Sequence, residues 1–326
     1  MTARILLTGA TGNTGQVIAQ RLRARGIPFV ALARSEQRRR ELERRGDEVV
    51  MGDFDDPPSL VRALAGFEVA YLVCTPDELL IPREVAFIRA AKQAGIQRIV
   101  KCSAFYADLC ASTQNLRAHG AIEAELIRSG LDYTIVRPHG FMQSFTLFNW
   151  AMIEQAGVMS MPAGEGGIAM IDVRDVAEVM VRALVEPGHV GKTYDLTGPE
   201  VLDLYEQAAI LESELGRPVT YLPGDERHLL MVMRLLGVPA TATEHVVKIF
   251  RMQRDHLFET TTNTLRELGI TPITYRQFVR DLLAGRTGGG NSFKPPQTPL
   301  TRLMDTCMPL AMQAFVRVRG RERRPA

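Results

Sequence analysis

The chain has 326 residues, 46% hydrophobic and 23% charged, which is enough apolar material for one large core with a smaller lobe, because single cores stop growing near about 250–300 residues. That balance excludes a disordered chain. Lysine plus arginine total 39 against 37 acidic residues, so a net charge of +2 supplies no field for gripping nucleic acid, and none is expected as a partner.

In chain order, residues 4–7 (RILL) predict a first strand and residues 16–25 a helix, with Val17, Ile18 and Leu22 at helical spacing and Gly26 closing it ahead of Pro28. Residues 29–33 predict the second strand. Further strands are expected at 48–51, 69–74, 98–102 and 133–136, with helices at 60–65 and 82–94 between them. Strands alternating with helices predict an α/β fold, a Rossmann-type doubly wound parallel sheet over residues 1–150.

Beyond about residue 143 the alternation fades, and a small, mainly helical substrate lobe is expected over 151–284. Within it, residues 168–198 are expected to return to the sheet: 168–185 as a short strand and a helix with Asp175 as N-cap, and 192–196 as a further strand. Residues 285–299 (GRTGGGNSFKPPQTP) predict a flexible linker. Residues 300–326 form an amphipathic and basic extension, with Leu300, Leu303, Met304 and Cys307 on one face after Thr298 and Pro299. Either it rests peripherally on an anionic membrane or a partner, or it docks on its own body or stays disordered.

The four cysteines, Cys74, Cys102, Cys110 and Cys307, form no C-x-x-C pair. No metal site and no disulfide framework is expected, and a reducing, cytoplasmic setting fits. The opening residues predict no export signal, and no run of about 18 apolar residues predicts a membrane span.

Residues 8–15 read TGATGNTG, placing Gly9, Gly12 and Gly15 between a predicted strand and a predicted helix. In that context the first glycine permits the tight turn, the second the approach of backbone to a pyrophosphate, and the third close packing of helix on sheet. The free amides and positive dipole end of the helix then hold the anion. The second strand ends in Ala33, Arg34 and Ser35 with no carboxylate before Arg34. An arginine there accommodates a ribose 2′-phosphate, so NADP(H) is expected in preference to NAD(H).

Taken with Gly52-Asp53-Phe54, with Arg137-Pro138 after LDYTIV, and with IDVRDVAEV, the glycine turn resembles the NmrA-like family of atypical short-chain dehydrogenase/reductases. The resemblance covers roughly residues 4–284. It implies NADPH-dependent quinone, azo-dye, triphenylmethane or isoflavone-type reductases, or redox-sensing regulators that bind NADP(H) without evident turnover. Carried over residue by residue, it implies that Thr8, Gly9, Thr11, Gly12, Asn13, Thr14 and Gly15 hold the pyrophosphate and that Arg34, with Ser35, holds the 2′-phosphate. It implies Asp53 and Phe54 beside the adenine. Cys74, Thr75 and Pro76, with Ser103 and Ala104, would border the coenzyme, and Phe141, Met142, Gln143 and Ser144 would lie near the nicotinamide. For Cys74 an inert buried thiol is expected.

Short-chain dehydrogenases usually carry a Tyr-x-x-x-Lys pair, and none of the seven tyrosines here has a lysine four residues on. In several relatives a lysine stands where this sequence has His119, four residues before Glu123 on one helical face. Two readings of His119 stay open: a catalytic group that contacts the ribose or protonates product with Glu123 holding the imidazole, or a helix-surface histidine in an i,i+4 pair. The mechanism expected is direct hydride delivery to a small electron-poor acceptor, a quinone, enone, imine or azo compound, in an apolar pocket. Its candidate walls are Phe141, Met142, Phe145, Phe148, Trp150 and Met152. The alternative is an NADP(H) sensor that changes its affinity for a protein partner, and a monomer or homodimer fits either.

Overall fold

Successive side chains of a strand point to opposite faces, and here both faces are apolar. Ile5 and Leu7 of β1 (Ile5–Leu7) enter one core cluster and Leu6 enters another. A strand buried on both sides needs helices above and below it, which the chain supplies in alternation. The structure is a computed structural model that describes residues 3–235, 237–238 and 240–286. The extension expected at 300–326, and the linker beyond Arg286, lie outside the described residues.

After β1 come α1 (Asn13–Ala24), β2 (Phe29–Ala33), α2 (Glu36–Glu43), β3 (Glu48–Met51), α3 (Pro57–Leu64), β4 (Val69–Leu72), α4 (Leu80–Ala94), β5 (Arg98–Cys102), α5 (Gln114–Ser129) and β6 (Asp132–Pro138). The chain continues through α6 (Met142–Ala156), β7 (Val158–Met159), α7 (Val173–Val185), β8 (Lys192–Leu196), α8 (Leu204–Leu215) and β9 (Thr220–Tyr221). It closes with α9 (Glu226–Leu235), α10 (Ala240–Arg254), α11 (Thr264–Glu267) and α12 (Tyr275–Leu283).

Seven strands form one parallel sheet in the order β3-β2-β1-β4-β5-β6-β8. Strand order reverses between β1 and β4, the point where doubly wound sheets open a crevice at their carboxyl edge. Thr8 pins that point: its hydroxyl donates to Tyr71 O at 2.9 Å and accepts from Val73 N at 3.0 Å. On one face α1 and α7 bury Val17, Ile18, Leu22, Val176 and Met180. On the other, α3, α4 and α5 bury Leu60, Phe87, Ile88 and Ile122. Each such fully buried side chain contributes about 1.5–3 kcal/mol.

A third cluster, with Met142, Ile153, Met159, Phe250, Tyr275 and Phe278, forms the core of the remaining helices and of the short β7–β9 pair. It is tied to the sheet layer by charge. Arg174 at the start of α7 bonds Asp172 and reaches Asp281 of α12 at 2.7 Å, while Asp175 accepts from Ile273 N at 2.9 Å.

Two sequence expectations change here. The short strand expected near residue 168 is reduced to isolated bridges, Ile168 with Leu202 and Ile171 with Phe141. The N-cap of α7 is Asp172 and not Asp175: Asp172 Oδ1 accepts from Arg174 N at 2.8 Å. Asp175 is one turn too late to cap and instead spends its carboxylate on Ile273.

Candidate functional site

The turn after β1 has the stereochemistry that its glycines anticipate. Gly9 has φ +60°, a conformation that costs L-residues a clash. A Cβ on Gly15 would stand 2.1 Å from Gly9 O, so that helix turn closes only over hydrogen. Gly12 N donates to Gly9 O at 2.8 Å, and Gly12 is the N-cap of α1 with no side-chain cap. A Cβ there would meet only Gly9 O, at 3.2 Å. The first turn of α1 also carries no acidic residue. An uncapped helix start, free of carboxylates and open at Gly12, fits a diphosphate. Thr11 and Asn13 are half-buried at this mouth, while Thr14 is buried.

Arg34 follows β2 directly and is exposed; its charge is felt by Asp55, whose carboxylate is bonded to Arg83 at 2.8 Å. Ser35 caps α2, accepting from Arg38 N. After β3, Asp53 Oδ1 accepts from Asp55 N, and Phe54 stacks on Phe87 at 5.2 Å. The Cys74 thiol is pushed up to about 11, chiefly by burial and then by the Glu84 charge. Thr75 and Pro76 beside it are exposed.

Farther along the carboxyl edge the loop after β5 is stapled to the end of β6: Ser103 N donates to Val136 O at 2.8 Å and Phe105 N to Pro138 O at 2.9 Å. Between them and α10 lies a cavity of about 410 Å³. Its walls are Pro76, Ser103, Ala104, Phe105, Tyr106, Pro138 to Phe141, Ser144 and Phe145 on the sheet side, Asn115 and Leu116 from α5, and His245, Ile249, Phe250 and Phe258 opposite. The lining is mostly apolar, with a few polar groups, the usual make-up of a small-molecule site.

The expected pocket residues divide. Phe141, Ser144 and Phe145 line the cavity. Met142 is core, and Gln143 bridges Asp172 Oδ1 and Val173 N. Trp150 packs on the helical core and Met152 is no part of the wall. The side chain of Phe148 lies outside the described residues. Sequence reasoning missed Tyr106, His139, His245 and Phe258. No local sequence signal marked them; the positive φ of Tyr106, shared among the described non-glycine residues with His256, is visible in the structure alone.

His119 also departs from expectation. Glu123 does not hold it: the Glu123 carboxylate accepts from Arg137 Nε at 3.0 Å and from the Ser103 hydroxyl. His119 is buried, one turn along α5 from the cavity-lining Asn115 and Leu116, and its Nδ1 has no partner among the described residues. Burial first, then the charge of Lys101 and then His245, holds its ring well below the ordinary histidine range. These influences favour the neutral ring. Lys101 itself is fully buried, paired to Glu84 at 2.6 Å. Among the described residues no group of three or more His, Cys, Asp or Glu could hold a metal, and no helix is long and apolar enough to cross a membrane.

Residues 9–187 match the family described as NAD(P)H-binding. The NAD(P)H azoreductase of Xenophilus azovorans is 34% identical over 76% of this chain and 86% of its own. The chain belongs to this NAD(P)H-binding family. Quinone oxidoreductase 2 of Escherichia coli is 31% identical over 72% of this chain and 82% of its own. The crystal structure of the NADPH-dependent quinone oxidoreductase of Escherichia coli with NADPH superposes with TM-score 0.77 at 28% identity, covering 86% of this chain and 99% of that one. Family membership thus agrees with the NmrA-like resemblance and with the Rossmann-like sheet of this NAD(P)H-binding protein.

Proposed function

We propose that this protein is an NADPH-dependent reductase of a small, flat, electron-poor acceptor such as a quinone, enone, imine or azo compound. The observation that carries the reading is the apolar cavity bordered by Ser103, Ala104 and Phe141, at the same carboxyl edge of the sheet as the uncapped helix start at Gly12. The relatives named above, an NAD(P)H azoreductase and a quinone oxidoreductase, support the same reaction class.

The turn from Gly9 to Gly15 would hold the diphosphate through backbone amides, with Thr8 fixing the turn to β4. Arg34 would select the 2′-phosphate and so NADPH over NADH. Asp53 and Phe54 would flank the adenine; Pro76, Ser103, Ala104, Phe141 and Ser144 would line the path toward the acceptor. When bound, the reduced nicotinamide supplies a hydride. The chain's own residues do the rest. Phe141, Phe145, Phe250 and Phe258 exclude water and hold a planar acceptor, so that proximity supplies much of the rate. This requires no Tyr-x-x-x-Lys pair.

The test is consumption of NADPH and of NADH by the full chain against a panel of quinones, enones, imines and azo dyes. Turnover with at least one acceptor, faster with NADPH, is expected. Tight NADPH binding without turnover on any of them would replace the reductase by a sensor.

A further inference from the structure

Three buried polar atoms in the cavity wall have no hydrogen-bond partner among the described residues: His139 Nε2, the Tyr106 hydroxyl and His245 Nδ1; local geometry or chemistry makes donors of the first two. His139 is 5% exposed, and its Nδ1 accepts from Gly140 N at 2.8 Å. A ring nitrogen that accepts from an amide carries no proton, so in the neutral ring the proton sits on Nε2. Nε2 is buried and has no partner among the described residues. The hydroxyl of Tyr106 is likewise buried and unpartnered. The two rings are 5.9 Å apart, edge to face, and both line the cavity. A buried polar group without a partner is costly, and it is found where a ligand completes it.

The placement of these donors is over-determined. His139 N donates to Leu196 O at 2.8 Å, fixing its backbone to β8. Its ring is packed against Phe105 at 5.1 Å and Phe258 at 5.2 Å. Gly140 lets Phe145 close in, since a Cβ there would lie 2.7 Å from the Phe145 ring. Tyr106 is held at φ 63°, where non-glycine residues are rare, in a loop clamped by the hydrogen bond from Phe105 N to Pro138 O.

We propose that His139 Nε2–H and the Tyr106 hydroxyl form a two-donor site for the oxygen of a carbonyl-type acceptor, which makes quinones and enones the substrate class. This rests on the reductase reading above. As hydride, with its two electrons, arrives at the electrophilic carbon of the acceptor, the π pair of the C=C or C=O system moves onto oxygen. The two donors hold that oxyanion, and bulk water supplies the proton as the product leaves, completing the alcohol or enol; for a quinone reduced at a ring carbon, the enol then tautomerises to the hydroquinone by moving the ring C–H proton to the second oxygen through solvent. Burial pushes His139 down to about 4, so the ring stays neutral and acts by donating a hydrogen bond without giving up its proton. Preorganised donors of this kind act where charge develops. An acceptor that is a cation before reduction, such as a triarylmethane dye, develops no oxyanion and gains nothing from them.

The test pairs turnover with a measurement that involves no hydride. His139→Phe should cut NADPH-dependent reduction of a quinone and an enone about 100-fold, the usual cost of losing one oxyanion donor, and Tyr106→Phe about 10-fold. His139→Gln, which keeps an N–H, should restore part of the rate. Reduction of a cationic triarylmethane dye, held in the same cavity, should fall at least about 10-fold less than that of the quinone. Independently, 4-nitrophenol titrated into the full-length wild type should bind as the yellow phenolate at a pH where most of the free compound is neutral, and His139→Phe and Tyr106→Phe should each weaken that preference. Undiminished quinone turnover in His139→Phe, or a wild type that binds the neutral phenol instead, overturns the two-donor site. If the wild type reduces nothing yet favours the phenolate, the reductase reading falls and the two-donor site stands. Should His139→Phe fail to fold, Tyr106→Phe and the wild-type phenolate spectrum decide the matter.

Discussion

Lys101 Nζ lies 2.6 Å from Glu84 Oε2, and neither side chain reaches solvent. Lys101 also donates to Cys102 O at 2.6 Å, so the ammonium is held between α4 and the end of β5. Two opposite charges buried together roughly balance their loss of hydration, whereas removing one strands the other. Lys101→Met should therefore lower stability by about 3–5 kcal/mol. The double variant Lys101→Met/Glu84→Leu should recover most of it. Urea unfolding of the four members of the cycle checks this, and additive losses would show that the pair is not coupled.

The same pair marks how far the sequence could be read. A lysine inside RIVKC looks like a strand residue facing water, because nothing local shows that α4 brings Glu84 under it. Strands and the glycine turn were legible because their signals lie within a few neighbouring residues: alternation, Gly9, Gly12, Gly15 and the residue after β2. The cavity was only half legible. Phe141 and Phe145 were anticipated, but Trp150 follows Phe145 by five helical positions, about 140° around the axis, and so turns toward the helical core. His139, Tyr106 and His245 come together from two loops and from a helix a hundred residues later, and no spacing rule joins them. Asp172 and Asp175 both suit a helix start, and the choice fell to long-range partners, Gln143 for one and Ile273 for the other.

Gly12 and Gly15 should fail in different ways. A methyl at Gly15 would overlap Gly9 O at 2.1 Å, so Gly15→Ala should lower the melting temperature as well as abolish coenzyme binding. At Gly12 the added methyl meets Gly9 O at 3.2 Å, a contact relieved by a small shift. Gly12→Ala should then fold with nearly wild-type melting while NADPH affinity drops about 10-fold or more, because the backbone's approach to the diphosphate is what is lost. Calorimetric titration beside thermal melts separates the two, and equal affinity in Gly12→Ala and wild type would contradict the phosphate assignment.

Arg34 offers the sharpest test of coenzyme choice. A guanidinium bonded to a phosphate is charge-assisted and contributes about 1.5–3 kcal/mol. Arg34→Ala should raise Kd for NADPH about 10- to 100-fold while leaving NADH nearly untouched. If both coenzymes weaken equally, the arginine is not reading the 2′-phosphate.

The described cysteines should react in an order set by burial. Cys110 is exposed, whereas burial pushes Cys74 up to about 11 and also raises the fully buried Cys102. Only the thiolate is nucleophilic, so brief iodoacetamide treatment of the native protein should alkylate Cys110 ahead of the other two, as peptide mass mapping would show. Early labelling of Cys74 would mean that its pocket opens in solution.

Asp175 gives a pH dependence with a definite sign. Burial is the main cause that pushes its carboxyl from 3.8 up to about 7, with the neighbouring Asp172 adding to it; the Ile273 amide and the Arg174 and Arg21 charges only partly oppose this. Between those two values the folded protein keeps a proton that the unfolded chain has released, so stability falls as pH rises through the interval and levels off above about 7. At roughly 1.4 kcal/mol per unit, the loss is a few kcal/mol. Asparagine stays neutral and retains an oxygen for the Ile273 amide. Asp175→Asn should therefore match wild type near pH 4 and exceed it above about pH 7. Because every other titrating group is common to both proteins, the difference between their melting curves isolates this one carboxyl. Curves that stay parallel from acid to neutral pH would mean that Asp175 is ionised in the fold, with its charge carried by Arg174 and Arg21.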